Sequence, residues 1–299
     1  MQIAFKLCEI FKFIFSNGVN SPSLAFSSIP QIQDFKIILK NVIPAYIKLN
    51  FHFEGDVQSC KEFLNNYHSY LQSQQVEPES LEGGFYFNLQ EAEDQSKLLL
   101  HSKSLFPKYR CLNITATKDN DHPNISSYLG ELIKSIDQTF QLIEEADISN
   151  IQITVQIGKS YFVEIAKIRA IRILWKHLCN AYQVSERIAY INAIFEEEAY
   201  DEDTNTNMIR SMTMAMSAVI GGVNRLTIRP ADQSDSTMTN RIARNVQHLL
   251  KMESYMDRVI DPAAGSYYIE KLTNLFVEQA WEVLLQSKKK DPAGKGVVR

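Results

Sequence analysis

Short runs in which apolar and polar residues alternate recur along the chain, each followed by a stretch with helical spacing. The runs are SLAF (23–26), IKLNFHF (47–53), GFYFNL (84–89), CLNITAT (111–117), IQITVQIG (151–158), AYINAIF (189–195) and RLTIRP (225–230). Between them lie QDFKIILKNV, SCKEFLNNYHSYLQ, SSYLGELIKSIDQTFQLIEE and NMIRSMTMAMSAVI, and MQIAFKLCEIFKFIF opens the chain as an amphipathic helix. A period of two reads as strand and a period near 3.6 as helix. Strand and helix in alternation predict a parallel sheet. This many units in one domain favour a closed (β/α)8 barrel of the TIM type, although seven strands are visible where eight are needed.

The alternation carries more information, because parallel strands flanked by helices are usually apolar on both faces. Here Ile151, Ile153, Val155 and Ile157 alternate with Gln152, Thr154 and Gln156, and Leu49, Phe51 and Phe53 alternate with Asn50 and His52. If helices pack on the apolar faces, the polar faces line a barrel interior that holds water or a polar ligand, since buried amides and hydroxyls need partners. The alternative is an antiparallel sheet with one wet face.

The segment YFVEIAKIRAIRILW (161–175) sets a problem of its own. Phe162, Ile165, Ala166 and Ile173 share one helical arc, and Arg169 falls inside it. A guanidinium at the edge of a packing face predicts an ion pair, a carbonyl clamp or a subunit contact. Glu164 and Lys167, off the arc, read as an exposed pair. Gly221 and Gly222 read as a helix stop, and Ser266, after the turn of Pro262 and Gly265, as the cap of a last helix reaching Trp281.

A net charge of -4 offers no basic field for nucleic acid or an anionic membrane. Lys288, Lys289 and Lys290 read as a solvated tail. Cys8, Cys60, Cys111 and Cys179 are scattered without C-x-x-C pairing, so no metal site or disulfide framework is indicated, and a reducing cytoplasm fits. Lys6, Glu9 and Lys12 interrupt the apolar opening, so it is expected to be an amphipathic helix rather than a signal peptide or membrane span.

Three stretches, YFVEIAKIRAIRILW, TNTNMIRSMTMAMSAVIGGVNRL and NRIARNVQHLLKMESYMDRVIDPAAGSYYIE, resemble in order and spacing the acyl-CoA barrel of the methylmalonyl-CoA mutases. The resemblance is close over residues 151–290 and weaker but continuous upstream, where IFKFIFSNGVNSPSLAF is similar to the helix entering the family's second barrel strand. It implies an incomplete barrel over residues 1–290, lacking the first strand and the acyl-CoA-binding segment around it, then a tail over 291–299 and no cobalamin-binding domain. It also implies a chemistry. In this family adenosylcobalamin homolysis starts a radical rearrangement that interconverts methylmalonyl-CoA and succinyl-CoA, with the acyl-CoA threaded along the barrel axis.

Carried over position by position, the family's site is degenerate here. Its Tyr-His pair after the fifth strand matches Asp119 and Asn120, with His122 two residues further on. Its His and Gln on the seventh strand match Ile191 and Ala193, and the Glu near the corrin matches Gln233. The Arg, Ser and Phe that hold the CoA arm match Asn150, Gln152 and Thr154, a set able only to hydrogen-bond substrate, and the fourth-strand Gln matches Phe87. No D-x-H-x-x-G cobalt-ligating run is present. The resemblance therefore implies a small, non-catalytic subunit without metal or cofactor of its own, forming a heterodimer with a catalytic large subunit that holds adenosylcobalamin. Two alternatives remain: an active acyl-CoA mutase barrel that recruits a separate cobalamin-binding subunit, and a degenerate barrel binding another elongated ligand.

Overall fold

The computed structural model describes residues 19–87, 89, 92–116, 124–185, 187–232 and 237–290. Each of the seven alternating runs contains a strand: β1 (Ser23–Phe26), β2 (Leu49–Phe53), β3 (Gly83–Phe87), β5 (Leu112–Thr115), β6 (Ile151–Ile157), β7 (Ile191–Phe195) and β8 (Arg225–Thr227). A further short strand, β4 (Tyr109–Arg110), precedes β5, and the chain changes sheet at Cys111. Strands β1 to β4 form one sheet in that order, and β5 to β8 a second. The registers β1–β2, β2–β3, β3–β4, β6–β7 and β7–β8 are parallel, which overturns the antiparallel alternative. The intervening helices supply the crossovers that parallel pairing requires.

The chain divides into two compact units, with the boundary running through the first residues of β5 and β6. In the first unit, α1 (Ile32–Ile38), α2 (Val57–Ser73) and α3 (Ala92–Leu105) accompany sheet β1 to β4. Helix α2 starts at Asp56, whose carboxylate accepts from the Ser59 amide at 2.8 Å and caps the helix; bonding to Ser59 holds its pKa below the usual aspartate value. From there Cys60, Phe63, Leu64, Tyr67 and Leu71 recur at helical spacing as its buried face. The core is aromatic. The Phe63 ring alone lies 5.5–6.4 Å from those of Phe26, Phe35, Phe51, Phe53, Phe85 and Phe87. Strands β2 and β3 approach so closely that a Cβ at Gly83 would stand 2.0 Å from the Leu49 carbonyl oxygen, so only glycine fits.

The second unit joins sheet β5 to β8 with α4 (Ile125–Leu142), α5 (Tyr161–Ala181), α6 (Thr204–Gly221), α7 (Thr237–His248) and α8 (Tyr267–Lys290). Helix α5 packs on both α6 and α8. Its charged residues resolve the problem set by the sequence. Arg169 donates to Asp261 at 3.0 Å and to Glu270 at 2.8 Å, the expected ion pair, which keeps the Glu270 carboxyl below its ordinary range. Arg172 clamps the carbonyls of Ala189 and Gly222, and burial lowers its pKa. Gly222 caps α6 with φ of +86°, the left-handed stop read from the sequence.

Two expectations for α5 are corrected. Glu164 and Lys167 are not exposed but only 3% and 2% accessible, paired at 2.5 Å. They face the end of β6, where the Lys167 ammonium also donates to the Gln156 carbonyl. Phe162, assigned to the packing arc, is 53% exposed because the arc ends before the first helical turn. The last helix likewise outruns Trp281 and ends at Lys290, so Lys288 is no tail residue. It pairs with buried Asp137 at 2.7 Å, and Tyr182 donates to the same carboxylate. Both tryptophans belong to this unit, Trp175 donating to the Arg187 carbonyl at 2.7 Å and Trp281 lying edge-on to His177.

Cys60, Cys111 and Cys179 are buried and form no disulfide with one another, and burial is the main cause raising the thiols of Cys60 and Cys111 to about 12. At pH 8 only about one in 10⁴ of either would be thiolate. We expect a thiol reagent such as 5,5'-dithiobis(2-nitrobenzoate) to leave both unmodified in the native chain and to label them on addition of denaturant; rapid native labelling at either position would contradict this burial.

Candidate functional site

Part of the second face of sheet β5 to β8, running across β6, β7 and β8, is polar and buried. Register pairs Thr154 with Asn192 and Asn192 with Arg225, so one row crosses three strands, and Gln152 stands two residues below Thr154 on the same face. Gln152 and Asn192 are only 1% and 2% accessible. The Asn192 amide donates to Thr154 Oγ1 at 3.1 Å, while its carbonyl oxygen and both amide atoms of Gln152 have no hydrogen-bond partner among the described residues. A buried polar group left so is destabilising by about 1–3 kcal/mol, so this stripe is shaped to meet something polar. Its amides and hydroxyl can donate and accept and its guanidinium can donate, but the row contains no imidazole, carboxylate or thiol.

Beyond the carboxyl ends of β7 and β8, where parallel α/β folds bind ligands, a cavity of about 840 Å³ is lined by Tyr200, Asp201, Asn207, Arg229 and Asp232 among others. Its polar groups are engaged with one another. Tyr200 donates to the Arg229 carbonyl at 2.9 Å, Asn207 to the carbonyls of Asp201 and Ala231, and Thr239 to Asp232. Arg210 pairs with Asp201 and Arg229 with Glu197. Bonding to Arg210, first among the causes, lowers the Asp201 pKa. At the carboxyl end of β6, Gly158 sits between two carboxylates: a Cβ there would lie 2.8 Å from Glu196 Oε2 and 3.3 Å from Glu164 Oε1.

The methylmalonyl-CoA mutase family model matches residues 140–292, which span β6 to α8 and with them the polar row and this cavity. The chain belongs to the methylmalonyl-CoA mutase family. It is 30% identical over 300 residues to the methylmalonyl-CoA mutase small subunit of Porphyromonas gingivalis, a match covering 91% of this chain and 48% of that protein. The small subunit of Propionibacterium freudenreichii is 32% identical over 54% of this chain and 26% of its own length. The methylmalonyl-CoA mutase of Rhizobium meliloti is 35% identical over 43% of this chain and 19% of its own. The chain thus spans about half the length, or less, of the curated relatives it matches.

Within this mutase-family frame, the structure brings Gln152 and Thr154 together on the polar face, whereas Asn150 belongs to the other unit, where its carbonyl accepts from the Cys111 amide at 3.1 Å. Ile191 and Ala193 are fully buried, in register with Ile153 and Val155 rather than with Thr154. Phe87 lies in the aromatic cluster of the first unit. Asp119, Asn120, His122 and Gln233 lie outside the described residues. Sequence reasoning missed Asn192 and Arg225. A single Asn in AYINAIF and an Arg at the first residue of a three-residue strand give no periodic signal, and only the register aligns them with Thr154. Among the described residues no group of His, Cys, Asp and Glu could hold a metal, and no helix is long and apolar enough to cross a membrane.

Proposed function

We propose that this chain is a non-catalytic, small-subunit-type member of the mutase family that supports a catalytic large subunit. On this reading the two parallel sheets are parts of one incomplete barrel, and the acyl-CoA and adenosylcobalamin are held by the partner. The observation that carries the proposal is the chemistry of the polar row: Gln152, Thr154, Asn192 and Arg225 can bind but include no imidazole, carboxylate or thiol to act as general acid or base. Ile191 and Ala193, at positions where the resemblance implies a His and a Gln, are apolar and fully buried, so they do not fit a corrin. Porphyromonas gingivalis and Streptomyces virginiae each have a methylmalonyl-CoA mutase small subunit and a large subunit, which is consistent with such a division of labour.

The test is an isomerase assay on the purified chain with adenosylcobalamin and methylmalonyl-CoA. We expect no succinyl-CoA above background from this chain alone; turnover would overturn the proposal. The orphaned amides of Gln152 and Asn192 favour a second reading, in which the chain itself receives an acyl-CoA and recruits a separate cobalamin-binding subunit. Equilibrium dialysis with acyl-CoA separates the two, micromolar retention by this chain favouring the second.

A further inference from the structure

The second unit carries a group of large apolar side chains that stand mostly in solvent. Ile260 is 98% exposed and Tyr267 94%, and Phe162, Val259 and Tyr268 are each more than half exposed. They are neighbours: Val259 and Ile260 lead into the turn before α8, Tyr267 and Tyr268 open α8, and the Tyr268 ring lies 5.9 Å from Phe162 at the start of α5. At these exposures the five residues present roughly 700–800 Å² of surface, backbone and tyrosine hydroxyls included, about the share one partner contributes to a standard protein interface. Exposed Asp257, Arg258 and Lys271 stand at its edge, giving the apolar centre and charged rim of a docking surface.

The face is also held in shape. Arg169 reaches from α5 to both Asp261 and Glu270, and Glu270 in turn accepts from the Gly265 amide at 3.1 Å. These bonds pin the turn at both ends, with Asp261 and Gly265 both at positive φ. Ile260 and Tyr267 flank the pinned turn, so little ordering remains when a partner arrives.

We propose that the face of Phe162, Val259, Ile260, Tyr267 and Tyr268 docks the large mutase subunit, with Arg169 as the residue that positions it. The inference rests on the small-subunit reading above and specifies where the partner sits. It answers the question posed by a guanidinium on the packing arc: Arg169 holds the docking turn in place.

The experiment mixes the full chain with the large mutase subunit of the same organism and reads complex formation by sedimentation. Wild type is expected to form a 1:1 complex. The double variant Ile260→Asp/Tyr267→Asp, which alters only side chains already in solvent, is expected to weaken it at least 100-fold, while Ile209→Asp, an exposed apolar site on α6, leaves it unchanged. Arg169→Ala is expected to weaken it about tenfold through the loosened turn. A complex of unchanged affinity with the double variant would overturn this face and leave the small-subunit reading standing. Absence of any complex with wild type would overturn both. A wild-type chain that instead pairs with itself, and loses that pairing in the double variant, would assign the face to a second copy and overturn the proposed partner.

Discussion

Replacing Lys167 by Met is expected to destabilise the second unit by about 3–5 kcal/mol, because it strands the Glu164 carboxylate in a buried site with its counter-charge removed. The pair is 2.5 Å apart, both members are almost wholly inaccessible, and the Lys167 ammonium lies 5.5 Å from the Tyr128 ring. Burial raises the Tyr128 hydroxyl, and the nearby Glu164 and Glu196 act in the same direction, so that ring offers the stranded carboxylate no countercharge. The double replacement Glu164→Met/Lys167→Met removes both charges and is expected to be close to neutral or stabilising. Urea titration of the single and double variants tests this directly. If the single variant unfolds at the same midpoint as wild type, the pair is not the buried one described here.

The other large effect belongs to the first unit. Phe63→Ala should cost about 3–5 kcal/mol, the loss of a fully buried ring together with the cavity left among six aromatic neighbours. Phe63→Leu should cost clearly less, since most of the volume is kept. Near-ultraviolet circular dichroism and the urea midpoint together check the result. A loss below about 1 kcal/mol for the alanine variant would mean that the cluster can collapse onto the space, which rings on four separate elements do not readily do.

Seven strands were legible because a two-residue period survives in runs as short as SLAF, and their parallel pairing because a helix lies between each of them and the next; β4, two residues long and joined directly to β5, carries no period to read. The arginine clamps were legible in part: Arg169 stood out as a charge on an apolar arc, but its partners Asp261 and Glu270 are 92 and 101 residues away. Burial of the Glu164–Lys167 pair was not legible. The i, i+3 spacing is shared by solvent-facing pairs, and what distinguishes this one is the end of β6 beside it. The polar row was half legible, since Gln152 and Thr154 belong to a seven-residue alternating strand, whereas Asn192 and Arg225 join it only through register.

Both indole side chains, Trp175 and Trp281, reside in the second unit, while the ring cluster of the first is built from phenylalanine and tyrosine alone. The polypeptide is therefore its own two-channel reporter. Emission excited at the red edge follows the second half alone, far-ultraviolet dichroism follows both, and a mismatch between the two melting curves would reveal whether the halves come apart in sequence or together, without any added label.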